Sequence, residues 1–298
     1  MNDRVAIIGP GRMGLALGAG LRDARAVEKL VFIGRGMNPP PHPLFEETPP
    51  ASEWDEPPPV EYRMWPSGLP TDTTVAVLAV PDRALAEVAF ELARFGPSPP
   101  GCAALHLSGV LSNDVLEPLH LAGYATGSLH PLQTVADPWH GGDRLRGVAF
   151  AVAGEPAAMN AARRLANALG GSTLIIPPTM RPVYHAAAVL ASSGPVALLA
   201  AAVRTLARTG VTADEAFKAL LPLMQGTLET VRQLGVPAAL SGPVAQGDAD
   251  AVRLHLARLS PRERVLYCEL GRELLELARA AGLDAARADE IEDLLAPE

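Results

Sequence analysis

The motif Gly9-Pro10-Gly11-Arg12-Met13-Gly14 follows the apolar run Val5-Ala6-Ile7-Ile8 and opens a stretch of small and apolar residues, Leu15-Ala16-Leu17-Gly18. A strand, then G-x-G-x-x-G, then a helix is the most constraining pattern in the chain. The first glycine permits a tight turn, the second lets backbone approach a pyrophosphate, and the third allows close helix–strand packing. The helix N-terminus then presents its N–H groups and positive dipole end to phosphate. The pattern predicts a dinucleotide-binding βαβ unit, with Gly9, Gly11, Arg12, Met13 and Gly14 at the phosphates.

The end of the second strand sets the cofactor preference. A chain that binds NAD usually places Asp or Glu there, on the ribose hydroxyls. Here it reads Ile33-Gly34-Arg35, with a guanidinium in place of a carboxylate. Arginine grips a 2′-phosphate through paired charge-assisted bonds, so Gly34 and Arg35 predict NADP(H).

Apolar runs at 5–8, 30–33, 75–80 and 103–107 alternate with helical patterns, and weaker strands follow at 124–129, 148–152 and 172–176. This alternation predicts an α/β Rossmann domain with a mainly parallel sheet. Between Met37 and Pro70 the chain is proline-rich and reads as a long surface loop enclosing a short strand, Val60 to Met64. From Thr179 onward the pattern is helical, with capping boxes at Thr212–Glu215 and Ser260–Glu263 and C-terminal cap glycines at Gly210 and Gly282. The expected domains are 1–177, NADP-binding, and 178–298, an all-α domain for substrate and dimer contacts. The tail Asp289 to Glu298 reads as an acidic final helix that frays.

Composition excludes several classes. The net charge of −8, without a basic cluster, argues against nucleic acid. Cys102 and Cys268 make no disulfide framework and no metal-ligand spacing, which predicts no metal and a reduced, cytoplasmic chain. Ala186 to Val203 is apolar, but Gly194-Pro195 interrupts it and Arg181 and Arg204 flank it. A helix buried in a core or a dimer interface fits that segment better than a membrane span.

Ligands of open α/β sheets gather at the carboxyl ends of strands. Three such ends carry polar or turn residues: Val80-Pro81-Asp82, Ser108-Gly109 and Ser128-Leu129-His130-Pro131. Val80, Pro81 and Ser108 are expected beside the cofactor, and Asp82 reads as a helix N-cap. His130 borders the expected nicotinamide position. His185 lies near the start of the first helix after the boundary, with Ser192 seven residues on and therefore on the same face. His185, His130 and Ser192 are the candidate proton donors for hydride transfer to C=N or C=O. His106 reads as a core residue, and Asp248 as either a cap or a contact for a basic substrate group.

The order of these pieces resembles the superfamily of pyrroline-5-carboxylate reductase, prephenate dehydrogenase and the β-hydroxyacid dehydrogenases, in which an all-helical, dimer-forming domain follows a Rossmann domain. A closer resemblance is to a bacterial Rossmann-like family with a C-terminal domain of unknown function. It rests on His106-Leu107-Ser108-Gly109, Ser128-Leu129-His130-Pro131-Leu132-Gln133-Thr134, Tyr184-His185-Ala186-Ala187-Ala188 and Gly242-Pro243-Val244-Ala245-Gln246-Gly247-Asp248. Ser193 and Gln246 stand where that family tends to carry Asn and Arg. The K-x-x-x-N pair of β-hydroxyacid dehydrogenases is missing, since Lys29 and Lys218 are the only lysines. The expected function is an NADP(H)-dependent oxidoreductase acting on a small imine or keto acid as a homodimer through the helical domain. The rivals are an NADP(H)-binding sensor without turnover and an inert structural dimer.

Overall fold

Successive side chains of a strand point to opposite faces, so a strand covered on both sides is apolar throughout. In β1 (Asp3–Ile8), Val5 and Ile7 enter one buried cluster while Ala6 and Ile8 enter another. The computed structural model describes residues 3–46 and 57–296. Its contacts define two units, Met1–Leu190 and Ala191–Glu298.

The first unit is built on a sheet whose further strands are β2 (Val27–Gly34), β3 (Val60–Met64), β4 (Val75–Leu78), β5 (Ala103–His106), β6 (Ala125–Pro131), β7 (Ala149–Gly154) and β8 (Ser172–Ile175). Their order is β3-β2-β1-β4-β5-β6-β7-β8. Neighbours from β3 to β6 run parallel, β7 is antiparallel to β6, and β8 is parallel to β7. The helices are α1 (Arg12–Asp23), α2 (Asp82–Ala93), α3 (Glu117–Leu121), α4 (Gly141–Arg144) and α5 (Pro156–Ala168). Leu15, Leu17 and Leu21 of α1 pack with Leu165 of α5 on one face, and Leu85 and Leu92 of α2 with Leu119 of α3 on the other. This is the expected Rossmann sandwich, including the short strand β3. Part of the proline-rich loop, residues 47–56, lies outside the described residues.

The helix α6 (Arg181–Ala207) begins in the first unit and continues into the second. The second unit adds α7 (Ala213–Leu234), α8 (Pro243–Gln246), α9 (Ala249–Leu256), α10 (Pro261–Ala280) and α11 (Ala285–Leu295). Both predicted capping boxes form: Glu215 accepts from the Thr212 N–H at 2.8 Å and Glu263 from the Ser260 N–H at 2.8 Å. The small core of this unit joins Val252, Leu275, Ile291 and Leu295.

The acidic final helix is packed through Leu295 rather than frayed as its composition suggests. Ile291 and Leu295 of α11 are fully buried, and Arg279 of α10 pairs with Asp289 and Glu292. Nor does Ala186–Val203 find the core that its apolar character predicts. Pro178–Ala207 is long and apolar enough to cross a membrane by length and composition, yet none of its most apolar window is buried within the chain. Val189, Leu190 and Val196 are exposed.

Candidate functional site

The glycines of the fingerprint stand where a side chain has no room. Gly9 has φ +105°, and a Cβ there would lie 2.6 Å from the Ala79 carbonyl oxygen. At Gly14 it would lie 2.2 Å from the Gly9 carbonyl oxygen, so α1 is seated directly on the turn. Gly11 instead faces open space, with nothing within 4 Å of its Cβ position. Gly11 is also the N-cap of α1, without a side-chain cap and without an acidic residue in the first turn. Those N–H groups are left for an anion. Arg12 is exposed at the helix start, whereas Met13 packs toward the core and offers only its backbone.

A cavity of about 340 Å³ extends from this turn. Gly34, Arg35, Val80 and Pro81, all singled out from sequence, line it, together with Trp65 and Arg83. This is a cradle between the carboxyl ends of β1, β2 and β4, where a dinucleotide's adenosine half lies in doubly wound folds.

Beyond β5 the site changes character. Ser108 is buried, and its hydroxyl donates to Asp82 at 2.9 Å. Asp82 is therefore not the N-cap the sequence suggests: Pro81 holds that position and the Asp82 carboxylate is engaged by Ser108. Arg181, the first residue of α6, is fully buried. Its guanidinium donates to Ser128 Oγ at 2.8 Å and to the Ser108 carbonyl oxygen. Burial pulls the pKa of Arg181 down, opposed by Tyr184 and Asp82. His106 is also buried, as its place in a strand predicts, and its Nδ1 accepts from the Ser108 N–H at 3.2 Å. Burial, then Arg181 and His130, push its pKa down to about 3.

His130, at the end of β6, shares a 2.6 Å hydrogen bond between its Nδ1 and the Tyr184 hydroxyl. Its ring centroid lies 6.0 Å from that of His185. Gly109 fills the space between these rings: a Cβ there would lie 2.4 Å from His185 Cδ2 and 2.8 Å from His130 Nε2. Burial, then His185 and Arg181, lower the pKa of His130 to about 4, so the ring is neutral near neutral pH. Burial raises the pKa of Tyr184 and keeps its proton on the phenol. The structure thus brings His130 and His185 together within the first unit. Ser192, seven residues along α6, falls in the second.

The sequence assigns no site role to Arg181, Tyr184 or Arg83, although Tyr184 lies in the motif that includes His185. Arg181 and Tyr184 are three apart on one helix, which puts them on the same face with His185. That spacing was the available signal. Asp248 proves to be a cap, accepting from the Ala251 N–H at 3.0 Å at the start of α9. Both lysines are occupied by carboxylates, Lys29 with Glu61 at 2.5 Å and Lys218 with Asp214 at 2.6 Å.

The fold is a Rossmann-like α/β region followed by a helical region. Residues 148–274 match the model of a domain of unknown function, DUF2520. No curated protein matches the chain in sequence. Among solved structures, it is similar to protein TM1727 from Thermotoga maritima, with a TM-score of 0.70 and 21% identity over 93% of this chain and 98% of that one. It also resembles the Plasmodium falciparum pyrroline carboxylate reductase solved with NADP bound, with a TM-score of 0.59 and 13% identity over 99% of each chain. A reductive aminase from Aspergillus terreus, in complex with NADPH and ethyl-5-oxohexanoate, superposes with a TM-score of 0.55 and 17% identity over 99% of this chain and 93% of that one. The chain therefore has the fold of the pyrroline-5-carboxylate reductases, as its sequence order predicts.

Proposed function

We propose that this chain is an NADP(H)-dependent oxidoreductase that reduces a small imine or keto acid. The observation that carries the reading is that the carboxyl ends of interior strands bear both the glycine cradle, with Arg35 on its cavity, and the His130–Tyr184–His185 cluster. The cradle fits a dinucleotide because Gly11 leaves open space beside an uncapped helix N-terminus. Gly9, Gly11, Arg12, Met13 and Gly14 would hold the pyrophosphate, Gly34 and Arg35 the adenosine ribose and its 2′-phosphate, and Val80, Pro81 and Ser108 the rest. When bound, NADPH supplies a hydride.

The chain's own residues supply the proton. Reduction of C=O leaves negative charge on oxygen, which a positioned acid must meet. His130 in its Nδ1–H form donates to Tyr184 Oη and turns the phenolic proton outward. Tyr184 gives that proton to the oxygen and recovers one from solvent through His130. His185, across Gly109, orients the carbonyl. An imine that arrives protonated needs only orientation. Ser192, seven residues beyond His185 on α6, is the further candidate hydroxyl by sequence spacing.

The exposed apolar surface of α6 suits a second copy of the chain, so the working form is a homodimer through the helical region. The occupied lysines favour one rival, an NADP(H) sensor without turnover. The test is a fluorescence titration with NADPH and NADH, followed by a screen of imines and keto acids for NADPH oxidation. Turnover that falls about a hundredfold in Tyr184→Phe and His185→Ala supports the enzyme. Tight NADPH binding with no turnover on any substrate favours the sensor, and binding of neither cofactor removes both readings.

A further inference from the structure

Arg83 stands 48 residues beyond Arg35 in sequence, yet both guanidinium-bearing side chains line the cavity that opens from the fingerprint turn. Both residues are exposed, and neither has an ion-pair or hydrogen-bond partner among the described residues. The placement of Arg83 is costly in itself. It is the second residue of α2, whose N-cap, Pro81, makes no side-chain cap bond. A cation in a first turn faces the positive end of the helix dipole. The one acid of that turn, Asp82, makes no ion pair with Arg83: its carboxylate accepts from the Ser108 hydroxyl and its charge also acts on the buried Arg181. A chain of net charge −8 with two unpaired guanidinium groups on one cavity is arranged for an anion. The other walls, Trp65, Val80, Pro81 and Val88, are apolar and suit a flat base rather than a second charge.

We propose that Arg83 and Arg35 form a two-armed clamp for the 2′-phosphate of the adenosine ribose, one arm from the end of β2 and one from the first turn of α2. This rests on the NADP(H) reading above. Arg35 alone gives a preference over NADH; the second arm brings two guanidinium groups to one dianionic phosphate and neutralises the exposed start of α2. Arginine suits both positions because its fork pairs with phosphate oxygens.

The test is a fluorescence titration of the full-length protein with NADPH and, separately, NADH, for the wild type, Arg83→Gln, Arg83→Lys and Arg35→Gln. The expected result is a Kd for NADPH raised about tenfold or more in Arg83→Gln and Arg35→Gln, with the Kd for NADH unchanged and Arg83→Lys in between. A Kd for NADPH within about twofold of wild type in Arg83→Gln, with the wild type still preferring NADPH, overturns the clamp and leaves the cofactor reading intact. Equal weakening of both cofactors assigns Arg83 to the adenine and also overturns it. A wild type that binds neither cofactor, or NADH better, removes the underlying reading. Circular dichroism distinguishes any of these from misfolding, which substitution of an exposed side chain should not cause.

Discussion

At the scale of single residues, the site is governed by a buried arginine. Arg181 lies under the carboxyl ends of β5 and β6 and donates to Ser128 Oγ and the Ser108 carbonyl oxygen, while its charge helps depress both His106 and His130. Replacing it with methionine keeps the bulk and removes the charge. Arg181→Met is therefore expected to raise the pKa of His130 a little above about 4, with burial and His185 still holding it below 6.5, read by NMR titration of the imidazole protons. An unmoved His130 in a folded variant would show that burial and His185 set the value without Arg181. Gly109→Ala tests the steric half of the arrangement. Its Cβ would meet two imidazole rings at 2.4 and 2.8 Å, and rings yield less than chain ends. Turnover is expected to fall about tenfold or more while NADPH affinity holds. None of this was visible in sequence beyond the histidines. Arg181 looked like a charged flank of an apolar segment, because arginine is rarely buried without a carboxylate. Its actual partners, a serine hydroxyl and a backbone carbonyl, leave no sequence signature.

At the scale of elements, the pattern was legible wherever one period dominated. Near-continuous apolar runs marked β1, β2, β4 and β5, since a sheet covered on both faces admits little else, whereas the less apolar β3, β6 and β8 gave a weaker pattern. The antiparallel turn of β7 against β6 was not legible, because side-chain alternation is the same in either direction. Both capping boxes were legible because their chemistry is local. In α11 the run of acids masks an apolar stripe. Ala288, Ile291 and Leu295 recur at helical spacing and are fully buried against α9 and α10, beneath the acids that Arg279 pairs. A packed α11 makes a definite prediction. Ile291→Ala should cost about 2–4 kcal/mol in urea unfolding of the helical region, as burying a cavity does. A frayed helix would show a change close to zero.

At the scale of the molecule, the two units carry their acid sensitivity in different pH windows. His106 and His130, both in the first unit, have folded pKa values of about 3 and about 4, below the 6.5 of a solvated histidine. The groups facing them are Arg181, His185 and the neutral Tyr184, and none of these supplies a negative charge to hold an added proton. On unfolding near pH 5 both rings take up protons that the folded unit refuses, so its stability falls as pH drops from about 6.5 to about 4. The second unit follows the same sense in a lower window. Its capping-box carboxylate, Glu263, has its pKa lowered to about 2, first by the Ser260 hydroxyl and then by the Ser260 backbone N–H. That contribution is whole above the ordinary carboxylate value of 4.5 and is lost only as pH falls toward 2. Acidification from about pH 7 to pH 5 should therefore weaken amide protection in β5, β6 and the start of α6, with uptake of nearly two protons per unfolding event. Protection in α10 and α11 should stay level until the carboxylates titrate. Hydrogen exchange followed by mass spectrometry at several pH values, corrected for intrinsic rates, reads both units in one sample. Loss of protection in both units together at pH 5 would mean that the helical region draws its stability from the sheet unit and that the histidines govern the whole chain.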